Sequence, residues 1–95
     1  DLQLKGKNAL ILGGTRGIGR AIAETLAKEG ANVGVCARNA EQVAATVAEL
    51  KALGVKTTGA SVDVKVGPAL QAWIKSAAGE LGGLDILISN AGAMA

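Results

Sequence analysis

The sequence predicts an α/β fold, a doubly wound parallel sheet, on three observations. Apolar runs of strand length alternate with longer segments of helical spacing through all 95 residues. The run Ala9-Leu10-Ile11-Leu12 has no polar interruption, which suits a strand buried on both faces. Trp73 is the single aromatic residue, so Ala, Val, Ile and Leu must fill the core, as they do where helices layer on a parallel sheet.

Each element follows in order. A first strand is expected near Asn8 to Leu12. Ile18, Ile22 and Leu26 then recur at helical spacing, placing a helix near Gly17 to Lys28. A second strand is expected near Asn32 to Ala37 and a helix near Glu41 to Leu53, where Val43, Val47 and Leu50 form one apolar face. Asn39, with Gln42 three residues on, can cap that helix, and Gly54 suits the left-handed position after it. A third strand is expected near Lys56 to Val62. Pro68 fits the first turn of a third helix reaching Leu81, with Leu70, Trp73, Ile74, Ala77 and Leu81 along its apolar side. That spacing makes Trp73 a core residue, in preference to a ligand-stacking one. A fourth strand is expected near Asp85 to Ser89. No low-complexity linker interrupts the pattern, so residues 1–95 are read as one domain.

Right-handed crossovers constrain how these pieces assemble. In the strand order 3-2-1-4, the first two helices cover one sheet face and the third covers the other, giving three layers, α/β/α. The switch point then falls between the first and fourth strands, where Ser89-Asn90-Ala91-Gly92 emerges beside the loop after the first strand.

Composition excludes several classes of function. Ten basic and eight acidic residues are spread along the chain, a net charge of +2 without a basic block, which suggests neither nucleic acid nor an anionic membrane as a partner. No apolar stretch approaches the ~18 residues of a membrane span, and the first residues lack the order of a signal peptide, so a cytoplasmic protein is expected. Cys36 is the only cysteine; it can form no internal disulfide, and its apolar neighbours point to a buried structural thiol. Without any histidine, metal sites and catalytic triads lose their usual member, and neither is assigned.

Chemistry is concentrated in Gly13-Gly14-Thr15-Arg16-Gly17-Ile18-Gly19. Gly13, Gly17 and Gly19 let the chain turn sharply and let a pyrophosphate approach the backbone, where the first amides of a helix face its charge. A tight strand-to-helix turn without a ligand would use the same glycines. A nucleoside-triphosphatase loop would not fit, because Gly19 is followed by Arg20 and Ala21 where Lys and Ser or Thr are needed. NAD sites commonly place an acidic residue about twenty positions beyond the loop. Here the second strand ends Cys36-Ala37-Arg38, and Arg16 stands inside the loop. Two guanidinium groups favour the 2′-phosphate of NADP through charge-assisted hydrogen bonds, although Arg38 alone could be a solvated residue after a strand. Asp63, followed by Val64, comes directly after the third strand; its carboxylate can accept from an adenine amino group or simply shape a turn.

Together these residues resemble the short-chain dehydrogenase/reductase family, particularly its 3-oxoacyl-carrier-protein reductase-like members. Gly13-x-x-x-Gly17-Ile18-Gly19 is similar to the family's TGxxxGIG loop, Asp63-Val64 to its adenine-pocket pair, and Asn90-Ala91-Gly92 to the end of its NNAG motif. The resemblance extends over essentially the whole chain. It implies a Rossmann-type sheet, NADP as cofactor, and cofactor contacts at Gly13, Thr15, Arg16, Gly17, Ile18, Gly19, Arg38, Asp63, Val64, Asn90, Ala91 and Gly92. It also implies hydride transfer between NADP(H) and a carbonyl or alcohol substrate, with a tyrosine, a lysine and a serine handling the substrate oxygen. The chain contains no Tyr, and none of its serines lies in the family's catalytic motif. Leu12 and Ser89 depart from the family pattern where Thr and Asn are usual.

A sheet ending at the fourth strand would leave Leu84-Asp85-Ile86-Leu87-Ile88 as an open apolar edge. The expectation is therefore a cofactor-binding portion of a longer, catalytically complete enzyme, with the rest of that enzyme or an oligomeric partner covering the edge. The alternative is a self-standing NADP-binding or oligomerising module.

Overall fold

A computed structural model of the chain describes residues 3–13 and 15–89. The strand β1 (Asn8–Leu12) is buried at all five positions, because it pairs on both edges and is covered on both faces. Its neighbours are β2 (Asn32–Ala37) and β4 (Ile86–Ser89), with β3 (Thr57–Ser61) beyond β2. All pairings are parallel and the order is β3-β2-β1-β4, as expected. Three helices, α1 (Gly17–Lys28), α2 (Ala40–Lys51) and α3 (Gly67–Leu81), make the crossovers.

The two-residue period of β1 sorts the helices into layers. Ala9 and Ile11, with Val33 and Val35 of β2, pack with Ala23, Leu26 and Ala27 of α1 and with Val43 and Leu50 of α2. Leu10, Leu12 and Cys36 point the other way, into Trp73, Ala77 and Leu81 of α3. Trp73 is a core residue on this face. No helix among the described residues is long and apolar enough to cross a membrane.

Glycines inside two strands set how closely these layers approach. A Cβ on Gly34 would lie 2.5 Å from Leu10 Cδ2, and one on Gly59 would lie 2.6 and 2.7 Å from Val47 Cγ2 and Val43 Cγ1. α2 therefore rests on β3 more closely than any side chain at 59 would allow.

Several boundaries differ from expectation for identifiable reasons. α2 starts at Ala40, where Asn39 Oδ1 accepts from the Gln42 amide at 3.0 Å, and it ends at Lys51 before a turn in which Gly54 takes φ +90°. β3 occupies only residues 57–61 and α3 begins one residue early, at Gly67. β4 begins at Ile86 because Asp85 uses its side chain: Asp85 Oδ2 accepts from Asn8 N at 2.9 Å while Asp85 N donates to Asn8 O. The Asn8 side chain continues this polar rail, with Asn32 Nδ2 donating to Asn8 Oδ1 at 2.9 Å and Lys56 N donating to Asn32 Oδ1 at 3.1 Å. In α1 the buried face is Gly19, Ala23, Leu26 and Ala27, and Ile18 is 69% exposed. Ile18 lies one residue, about 100° of arc, off the Gly19 line, and so stands outside the buried stripe.

Three predictions follow from this packing. Gly59→Ala should cost about 1–3 kcal/mol in urea unfolding through overpacking, whereas Gly67→Ala, with nothing within 4 Å, should be close to neutral. Burial pushes the Cys36 thiol up to about 11, partly offset by the Gly13 backbone N–H. A folded pKa above the unfolded value gives stability that is complete below about pH 8.5. It is lost as pH rises toward 11, so wild type should weaken over that range relative to Cys36→Ala. Leu12 and Ser89 are direct partners across β1 and β4. Leu12→Thr and Ser89→Asn should therefore give non-additive stability changes in a double-mutant cycle.

Candidate functional site

The C-terminal ends of β1, β2 and β3 surround a cavity of about 280 Å³. Three consecutive pieces of chain wall it. Gly13, Thr15 and Arg16 come from the loop after β1, Ala37, Arg38, Asn39 and Gln42 from the β2–α2 junction, and Val62, Asp63, Val64 and Lys65 from the turn after β3. Parallel strands place all three connections at the same sheet edge, and this is what brings Arg16, Arg38 and Asp63 together.

The loop after β1 is built to turn. Gly13 takes φ +81°, a conformation that costs a side chain energy, while its N–H donates to Cys36 O at 2.8 Å and so carries the β1–β2 ladder one residue past the strand. α1 then opens at Gly17, φ +55°, behind an extended Arg16 that provides no side-chain cap, and its first turn contains no acidic residue. The first amides of α1 consequently present partial positive charge without a carboxylate beside them. α2 has the opposite start, capped by Asn39 and carrying Glu41 in its first turn.

The other two walls are fixed by local hydrogen bonds. Ser61 Oγ donates to Arg38 O at 2.7 Å, tying the end of β2 to the end of β3 and leaving the exposed guanidinium of Arg38 to reach the cavity. Asp63 Oδ1 accepts from Lys65 N at 3.0 Å, and Asp63 O accepts from Val66 N at 2.9 Å. The aspartate therefore shapes a turn; with only one carboxylate oxygen in that bond, the turn does not preclude a ligand role. Thr15 is buried, with its hydroxyl 3.5 Å from Gln42 Oε1, where loop and α2 meet.

Of the residues singled out from sequence, Gly13, Thr15, Arg16, Arg38, Asp63 and Val64 line this cavity. Gly17, Ile18 and Gly19 form the first turn of α1 outside its lining. Asn90, Ala91 and Gly92 lie outside the described residues. Ala37, Asn39, Gln42, Val62 and Lys65 also line the cavity and are not among the residues singled out as cofactor contacts. Gln42 had registered only as part of a capping pattern, and Lys65 carried no signal beyond standing two residues after Asp63. Electrostatically the walls hold three cationic side chains, Arg16, Arg38 and Lys65, against the one carboxylate of Asp63. Such a site can take a compact anion joined to a flat apolar group lying against Ala37, Val62 and Val64.

Comparison with known proteins agrees with this geometry. The profile of the short chain dehydrogenase family matches residues 7–95. A tropinone reductase homolog of Arabidopsis thaliana is 46% identical over 90 residues, 94% of this chain and 34% of the relative. A 3-oxoacyl-[acyl-carrier-protein] reductase of Staphylococcus aureus is 44% identical over 87 residues, 90% of this chain and 35% of the relative. Among solved structures, an NAD+-bound xylitol dehydrogenase superposes with a TM-score of 0.85 at 28% identity, over 90% of this chain and 33% of that one. The L-sorbose reductase of Gluconobacter frateurii, complexed with NADPH and L-sorbose, gives 0.85 at 39% identity, over 92% and 34%. The chain thus spans about a third of the length of the curated relatives it matches. With the parallel order β3-β2-β1-β4, the glycine loop at its switch point and a profile match over nearly every residue, the chain belongs to the short-chain dehydrogenase family.

Proposed function

We propose that this chain is the NADP(H)-binding portion of a short-chain oxidoreductase that transfers hydride between the nicotinamide cofactor and a carbonyl or alcohol substrate. The observation carrying the cofactor choice is that Arg16 and Arg38 wall the same cavity. Arg38 follows directly on β2, and the next acidic residue, Glu41, is not among those lining the cavity.

The residues divide by task. Gly13 makes the turn that lets the pyrophosphate approach, and the uncapped first turn formed by Gly17, Ile18 and Gly19 receives it on backbone amides. Thr15 braces the loop. Arg16 and Arg38 hold the 2′-phosphate, while Asp63 and Val64 meet the adenine edge. Asn90, Ala91 and Gly92 are assigned cofactor contacts through their likeness to the end of the family's NNAG motif. When bound, the cofactor supplies the hydride-transfer chemistry. The proton at the substrate oxygen is left to a tyrosine-based group elsewhere in the protein, since these 95 residues include no Tyr. Leu87, half exposed on the edge strand β4, supports a partner surface there, from further strands or another subunit.

Arg38→Asp should weaken NADPH binding roughly 10- to 100-fold more than NADH binding, the scale of a lost charge-assisted hydrogen bond. Fluorescence titration with both cofactors checks this, and equal losses would remove Arg38 from 2′-phosphate recognition.

A further inference from the structure

One side chain at the α1–α2 contact is engaged more heavily than its position outside the cavity requires. Arg20, in the first turns of α1, donates from Nη1 to Thr46 Oγ1 at 3.2 Å and from Nη2 to Glu49 Oε1. Its buried Nε lies 3.1 Å from Glu24 Oε1, an ion pair whose geometry does not align the N–H with the carboxylate. Thr46 is 1% exposed, so its hydroxyl needs a protein partner, and Arg20 provides one.

Gln42, Thr46 and Glu49 follow one another at spacings of four and three, which places them in one row along α2. Every member of that row accepts from the loop–α1 segment: Gln42 from Thr15, Thr46 and Glu49 from Arg20. The row is a polar seam whose upper end, Gln42, is already a wall of the cavity. The seam joins the piece of chain carrying Arg16 to the piece carrying Arg38.

We propose that Arg20 is a positioning residue for cofactor discrimination: by pinning α2 to α1 through Thr46 and Glu49, it fixes the separation of Arg16 and Arg38 and so the fit of a 2′-phosphate between them. This rests on the NADP reading above. Backbone recognition of the pyrophosphate depends on the loop and α1 alone, so loosening the seam from the α2 side penalises NADPH and largely spares NADH.

The test uses the intact protein, with NADPH and NADH dissociation constants measured by fluorescence for wild type, Arg20→Glu, Glu49→Arg, the double charge swap, and Arg38→Asp. Each seam variant should lower the NADPH-over-NADH preference about fivefold, and the swap should restore most of it, as expected for a coupled pair. Should Arg20→Glu fail to fold, the milder exposed-site change Glu49→Gln carries the same expectation at about half that size on a logarithmic scale. An unchanged preference in the single variants, even with a lowered urea midpoint, overturns the positioning role while Arg38→Asp still lowers it. If Arg38→Asp also leaves the preference unchanged, the NADP reading and the seam proposal fall together.

Discussion

Burial of β1 is the constraint on which the rest of the structure depends. A strand paired on both edges and covered on both faces can expose only its ends, so the chain leaving Leu12 must turn at the sheet edge. Gly13 accommodates that turn in a left-handed conformation and still completes a ladder bond to Cys36. The same strand decides the layers, since its alternate residues feed two separate cores. Position of the loop and placement of the helices are thus two consequences of one buried segment.

The two ends of the sheet are treated differently. At the N-terminal end Asn8, Asn32 and Asp85 satisfy backbone and side-chain groups of neighbouring strands, closing that edge with hydrogen bonds. At the C-terminal end the chain instead provides an uncapped helix start and exposed arginines, and among the described residues both ion pairs belong to Arg20, set back from the cavity. An edge whose polar groups satisfy one another has little left for a ligand; the opposite edge retains its charge.

The family comparisons and the local chemistry converge on different scales. Membership accounts for the sheet, the glycine loop and the general use of a nicotinamide dinucleotide among relatives, which include structures with NAD+ and with NADPH. In the function proposed above, the choice between them is assigned to Arg16 and Arg38, which wall the same cavity.

By itself the sequence determined strand and helix order, the crossover arrangement and most of the cavity wall, because these follow from short-range periodicity and from the handedness of parallel connections. Gly13, Arg16, Arg38 and Asp63 were legible since each lies in the connection that leaves the C-terminal end of a strand, where topology leaves few places to go. The spacing of Ile18, Ile22 and Leu26 located α1 but not its buried face, which runs through Gly19, Ala23, Leu26 and Ala27 and leaves Ile18 exposed. The asparagine rail, the partnership of Gln42 with Thr15 and the reach of Arg20 to Thr46 and Glu49 were decided only by the tertiary structure. Those contacts join residues 24 to 29 positions apart, and the pairing of long polar side chains depends on the distance and rotation between packed elements, which no local pattern encodes.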